Sequence, residues 1–300
     1  MTTDEKLAAI LAAVQTDPGN RGLARDPHDN LFTATAGDFA SACWSIASQT
    51  APALHVVTGF LIPSTEPPMF ETDGPLGAVF LVRSLIELGI PVLCSTDAKC
   101  CPAMAAGLRT ADLVPDKSLH GITEASELHT PWLGDHATHL IALERPGPAS
   151  NGRYHTMRGR DITDTMIPAH TLFVRPKSVT IGIGDGGNEI GMGKVPHETI
   201  VKNIPNGDLI HCRTATEHLV VAGVSNWGAY ALAGGVFAIR QVTPPGWPFD
   251  PDQEQRILEV MVKEGQLVDG VSGKQTATVD GLTWPEYAAP LIRIREILES

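Results

Sequence analysis

Positive charge is scarce in this chain. It has 22 lysines and arginines against 34 aspartates and glutamates in 300 residues, a formal net charge of −12. That balance argues against a nucleic-acid partner and against an anionic membrane surface, both of which are gripped by basic side chains. It does not exclude an anionic small molecule, because a bound cation reverses the local sign. No apolar run approaches the ~20 residues that a membrane span needs. The opening Met1-Thr-Thr-Asp-Glu-Lys lacks the basic-then-apolar order of a secretory leader, so a cytoplasmic protein is expected. Cysteine is sparse too. Cys43, Cys94, Cys100, Cys101 and Cys212 show no C-x-x-C spacing, which fits reduced thiols better than disulfides or zinc. The eleven histidines contain no H-E-x-x-H.

What is abundant is a mixture of apolar runs and glycine. The richest stretch is Thr180-Ile-Gly-Ile-Gly-Asp-Gly-Gly-Asn-Glu-Ile-Gly-Met-Gly, an apolar strand that ends in six glycines enclosing Asp185, Asn188 and Glu189. Glycine lets a ligand approach the main chain closely. Two carboxylates crowded into such a loop call for something positive between them, and a hard divalent cation with oxygen ligands is the simplest candidate. Gly182, Gly184 and Gly187 satisfy G-x-G-x-x-G, but Asp185 would then face a pyrophosphate where backbone N–H groups belong, so no nucleotide cofactor is expected. A P-loop is excluded, since Gly193-Lys194 is followed by Val195 and position 188 is asparagine. Ser225 has no G-x-S-x-G context for a nucleophile.

Periodicity predicts helices at 6–15, 38–49, 74–87, 99–110, 227–240, 250–264 and 284–299. It predicts strands at 54–62, 90–95, 138–143, 179–183 and 219–224, with a further candidate at 209–213. Strands alternating with helices imply an α/β fold, a mostly parallel sheet with helices on both faces in a Rossmann-like three-layer arrangement. The expected organisation is a single domain over 1–300, with an N-terminal helical segment to residue 50 and closing helices from 250. Polar residues gather just after the strands: Glu71-Thr72-Asp73, Asp97, Glu144-Arg145, Asp185 with Asn188 and Glu189, and Ser225-Asn226. In an open parallel sheet these share the carboxyl edge, where ligands bind. Asp269 and Asp280 each stand in a Val-Asp-Gly turn.

Each residue also has a plain reading. Asp73 and Asp97 can cap the helices that come after them, Glu144 can pair with an arginine, and Asp269 and Asp280 can be turn formers. Arg145 and Arg158 can grip a substrate carboxylate bidentately or neutralise structural acids. Trp227 suits the core. An acidic two-metal site would also serve a hydrolase of small phosphorylated metabolites, and a non-catalytic metal- or ligand-binding module is a third option.

The segments Thr58-Gly-Phe, Glu71-Thr-Asp-Gly-Pro, Glu144-Arg-Pro-Gly, Asn151-Gly-Arg-Tyr, Met157-Arg-Gly, Gly182-Ile-Gly-Asp-Gly-Gly-Asn-Glu-Ile-Gly-Met-Gly-Lys, Gly223-Val-Ser-Asn-Trp-Gly and Asp269-Gly-Val together resemble the D-glutamate cyclase C-terminal-domain family. The resemblance runs from about Asp17 to the last helix. It implies conversion of D-glutamate to 5-oxo-D-proline with loss of water, and a divalent cation (Mg²⁺, Mn²⁺ or Ca²⁺) in a negatively charged cavity. Position by position, Glu71, Asp73, Glu144, Asp185 and Glu189 match that family's acidic motifs. Taken with the converging strand-end acids and the nearby arginines, this makes Asp73, Asp185, Glu189 and Asp269 the expected metal ligands. Glu144, Glu71, Arg145 and Arg158 are the expected catalytic groups, and Thr72, Asn151, Asn188, Ser225 and Asn226 the expected substrate contacts. The expected partner is a small acidic amino acid or a related metabolite, and the sequence permits a homo-oligomer.

Overall fold

A computed structural model describes residues 1–129, 136–174 and 176–300. Six parallel strands form the central sheet among these residues: β1 (Leu54–Thr58), β2 (Val92–Asp97), β3 (Leu119–Ile122), β4 (His139–Leu143), β5 (Val179–Gly184) and β6 (His218–Val221). Their spatial order is β3-β2-β1-β4-β5-β6, with Leu54 of β1 level with Val92 on one side and His139 on the other. The chain winds outward from β1 in one direction and from β4 in the other. The order reverses between them, which opens a crevice at the carboxyl ends of β1 and β4.

Strand residues alternate between two cores. Val56, Ile141, Ile181 and Val220 join the large cluster, whereas Val57, Leu140, Ala142, Leu219 and Val221 face two smaller ones. The large cluster lies under the long helices α1 (Thr3–Val14), α2 (Asp38–Ala47), α3 (Pro75–Leu85), α4 (Cys101–Thr110), α5 (Ser225–Arg240), α6 (Pro251–Gly265) and α7 (Trp284–Glu299). The opposite face is covered by shorter helical turns such as Leu31–Ala34, Ala169–Phe173 and His197–Asn203. The result is the expected three-layer α/β architecture with unequal outer layers. No helix among the described residues is long and apolar enough to cross a membrane, and all five cysteines are free thiols.

The structure differs from the sequence expectations at three places. The apolar run 54–62 is not one strand: Gly59 turns the chain at φ +108°, and Leu61–Ile62 pairs antiparallel with Met69–Phe70 in a separate hairpin. The candidate strand at 209–213 is instead the end of a helical turn, Gly207–Ile210, followed by extended chain that docks Arg213 N–H on the Pro148 carbonyl. Strand β3 is additional to the expected set, because Leu119-His-Gly-Ile carries too little apolar pattern to announce it. Helix α1 is fixed by a capping box between Thr2 and Glu5, and α7 by one between Thr283 and Glu286.

Candidate active site

Glu144 directly follows β4, Asp185 directly follows β5, and Asp73 lies in the loop between the hairpin and α3. Carboxylate oxygens of these three residues approach within 4.8 Å of one another, and all three side chains are buried. Glu144 adopts a left-handed backbone conformation, φ +43°, which a non-glycine residue holds at a cost of about 1–3 kcal/mol unless its surroundings over-determine it. They do. Its N–H donates to Ile183 O and its Oε2 accepts from the Ser225 hydroxyl. Gly74 permits the approach from the other side, since a Cβ there would stand 2.7 Å from Thr58 Oγ1 and 2.8 Å from Glu144 Cβ.

Asp73 is a cap, but not of the helix next to it in the chain. Its oxygens accept the N–H groups of Ser225 (2.9 Å) and Asn226 (2.8 Å), the first residues of α5. Asp185 accepts Ser225 N–H as well, at 3.2 Å, so two carboxylates share the positive end of one helix. The start of α3 is served in exchange by Asn226, whose Oδ1 accepts Gly74 N–H and Gly77 N–H, each at 2.8 Å. Asn226 therefore staples the Asp73 loop to α5 and is not free to face a substrate. Asn226→Ala should strand the buried Gly77 N–H and leave Gly74 N–H on Asp73 Oδ1 alone, destabilising the protein by about 1–3 kcal/mol, read by urea denaturation.

The cation facing this cluster is Arg21, which sequence reasoning did not single out. Its guanidinium contacts Asp185 and reaches Asp280 at 2.7 Å. Asp280, read from sequence as a turn former, is thus a wall of the site, with its Oδ2 buried and without a hydrogen-bond partner. The missed signal was Asp17-Pro-Gly-Asn-Arg-Gly. The Asp17 carboxylate accepts the N–H groups of Arg21, Gly22 and Leu23 at 2.8, 2.8 and 3.0 Å, which turns this loop towards the strand ends.

One arginine does not neutralise the group. Burial, aided by neighbouring carboxylates, holds Glu71, Asp73 and Glu144 well above the usual carboxylate range. Burial also raises Asp185 to about 6 and Asp280 to about 7, against the opposing pull of Arg21. Groups raised on folding bind more protons in the native state than in the unfolded one, so their contribution to stability is lost as pH rises through the folded values. Chelated protein should accordingly lose thermal stability between about pH 5 and pH 8, and MnCl₂ should flatten that slope. A Tm series across that range with and without MnCl₂ measures both.

The remaining expected residues divide sharply. Glu71 joins the cluster and packs against Gly270, where any Cβ would fall 1.8 Å from Glu71 Oε2. Glu189 is buried beside the triad, yet its oxygens accept Asp185 N–H (3.0 Å) and Gly187 N–H (2.7 Å) and so fold its own loop. Asp269 organises another loop. Burial opposes its ionisation, but bonds from Ser272 N–H (2.7 Å) and Gly281 N–H (2.7 Å) outweigh that and keep its carboxyl low. Arg145 pairs with Asp97 and donates to the carbonyls of Gly59 (3.1 Å) and Ile167 (2.7 Å), tying β1 and β2 together. Arg158 is exposed and donates to Val271 O. Thr72 Oγ1 donates to Thr278 O, Asn188 donates to His155 O, and Asn151 sits in an exposed turn. Trp227 is a core residue that donates to Tyr287 O. A cavity of about 750 Å³ is lined by Phe70, Asp97, Ile167 and Leu267 and by none of the clustered acids, which pack on one another instead.

Comparison with known proteins bears on this arrangement. The family model described as D-glutamate cyclase-like, C-terminal, matches residues 10–295. The chain belongs to this family. It is 31% identical to a human protein named D-glutamate cyclase, mitochondrial, over 98% of this chain and 52% of that protein. It thus spans about half the length of the curated relative it matches. The region matched to the D-glutamate cyclase-like family contains Arg21, the triad and Asp280.

Proposed function

We propose that the chain converts D-glutamate to 5-oxo-D-proline and water as a hydro-lyase, with a divalent cation at Asp73, Glu144 and Asp185. The observation that carries this reading is the buried triad itself, in a chain of the D-glutamate cyclase-like family. The donor set fits such a cation. It is all oxygen, which suits Mg²⁺, Mn²⁺ or Ca²⁺ rather than zinc or copper. It is also short of positive charge, and it leaves Asp280 Oδ2 without a partner. When bound, the cation supplies Lewis acidity towards the γ-carboxyl group.

The chain's own residues do the rest. Ring closure joins the α-nitrogen to Cδ, the carbon of the γ-carboxyl group, while a Cδ–O bond breaks, and both hydrogens of the released water leave the ammonium nitrogen. Glu71, held above the usual carboxylate range by burial, carries them in turn to the departing oxygen. Ser225 orients Glu144 through its hydroxyl, and the α5 N-terminus fixes Asp73 and Asp185, so the acids need no rearrangement as charge develops. Packing among acids excludes bulk water, which would otherwise compete for the leaving oxygen. Cytoplasmic action on a free amino acid completes the proposal.

The test is incubation with D-glutamate, L-glutamate and phosphate monoesters in MnCl₂, with products separated by chromatography. Cyclised D-glutamate, lost on chelation, is the expected result. Release of phosphate, or no product from any substrate, overturns the reading.

A further inference from the structure

The geometry points to Arg21 as the group that holds the substrate's α-carboxylate, kept in reserve by Asp185 and Asp280 until a cation engages Asp185. This rests on the proposed reaction and assigns the substrate contact that the reaction lacks.

Glutamate brings two further carboxylates to a cluster already crowded with acids. Its γ-carboxyl belongs at the triad, so its α-carboxylate needs a positive partner a few ångströms away. Arg145 cannot serve, because its guanidinium is enclosed by Asp97 and three backbone carbonyls. Arg158 lies exposed on Val271 O. Among the described residues Arg21 is the arginine in contact with Asp185, and its charge also acts on Glu144 and Asp73. A planar fork of donors suits a carboxylate better than an ammonium does.

Asp185 couples the two binding events, since it belongs to the triad and to the Arg21 pair at once. A divalent cation and a guanidinium repel each other, so the two compete for this carboxylate. The Arg21 guanidinium is held through ion pairs with Asp185 and Asp280, which a side chain can exchange for another carboxylate. Its backbone, by contrast, is pinned. Asp17 holds three consecutive N–H groups, and a Cβ on Gly22 would fall 2.2 Å from Asn203 O, so this turn lies directly on its neighbour. A change of partner therefore takes place by side-chain torsion alone, about a fixed Cα. Binding is then ordered, with the cation preceding the amino acid.

Calorimetric titration of chelator-stripped protein tests this with MnCl₂ alone, then with D-glutamate or 4-aminobutanoate at saturating MnCl₂. 4-Aminobutanoate keeps the amine and the γ-carboxylate and lacks the α-carboxylate. Removing the competing charge in Arg21→Met should tighten Mn²⁺ about 10-fold and weaken D-glutamate about 100-fold, with 4-aminobutanoate unchanged within about twofold. Arg21→Lys keeps the charge and loses the fork. It should bind Mn²⁺ like the parent and D-glutamate about 10-fold more weakly, and it carries the test if the methionine variant does not fold. If the parent binds D-glutamate and Arg21→Met binds it equally well, the inference is wrong while the reaction stands. If the parent takes Mn²⁺ but no D-glutamate, the reaction is wrong, and weaker or unaltered Mn²⁺ binding in Arg21→Met removes the competition as well.

Discussion

Replacing Asp185 with asparagine is expected to lower the proposed turnover of D-glutamate by on the order of 10³-fold and the proposed Mn²⁺ affinity by at least about 100-fold. Three roles meet on this one carboxylate: it belongs to the triad, contacts Arg21 and accepts Ser225 N–H. An amide is the same size and its oxygen can still accept Ser225 N–H, but it removes the charge that pairs with Arg21 and would hold a cation. Folding should survive, because a neutral group removes one charge from a cluster in which burial and neighbouring acids already oppose ionisation. The Tm of the chelated variant is therefore expected to match or exceed that of the parent at pH 8. Steady-state assays and Mn²⁺ titration of the two proteins decide the matter, and an asparagine variant with full activity would remove the triad from the chemistry.

A second large effect is expected far from the triad. Arg83 of α3 and Glu254 of α6 form an ion pair with no solvent exposure on either side chain. The Phe80 ring lies 5.0 Å beneath the guanidinium, and Tyr230 donates to the other Glu254 oxygen at 2.6 Å. Two Arg83 nitrogens, Nε and Nη1, remain without partners. Arg83→Met leaves a carboxylate stranded in the core and should cost about 3–5 kcal/mol in chemical denaturation. Adding Glu254→Leu should restore most of that loss, because a buried pair holds little net stability over apolar groups of similar volume. A double variant no more stable than the single one would mean that Glu254 acts mainly through Tyr230.

The architecture is legible in the sequence where periodicity and length agree, as in α6, α7, β4 and β5. It is not legible where one residue diverts the chain. Gly59 splits a continuous apolar run, and no hydropathy pattern marks which glycine takes a positive φ. At the site, the strand-end rule brings out Glu71, Asp73, Glu144 and Asp185, since the carboxyl edge of a parallel sheet gathers the residues that leave each strand. It fails for Arg21 and Asp280, which reach the crevice from loops attached to no strand of the sheet. Arg145 misleads for a related reason. Its neighbour Glu144 points into the crevice, whereas Arg145 turns to Asp97 and the ends of β1 and β2. Asp73 has the cap role that its position suggests, but for a different helix, because local sequence cannot show that α5 arrives 152 residues later.

The α5 N-terminus serves both the acids and the main core, and this double duty limits how the family can diversify. Residues 225–238 are buried almost without interruption, against strands on one side and helices on the other. A substitution there that retunes the acids also disturbs packing, so selection for a new substrate and selection for a folded protein pull on the same side chains. The exposed turns at 151–153 and 271–273 are under no such double constraint. Arg158, further along the same loop as the first turn, donates to Val271 O in the second. Substitutions that retune the proposed substrate choice are therefore expected to be tolerated best in those turns.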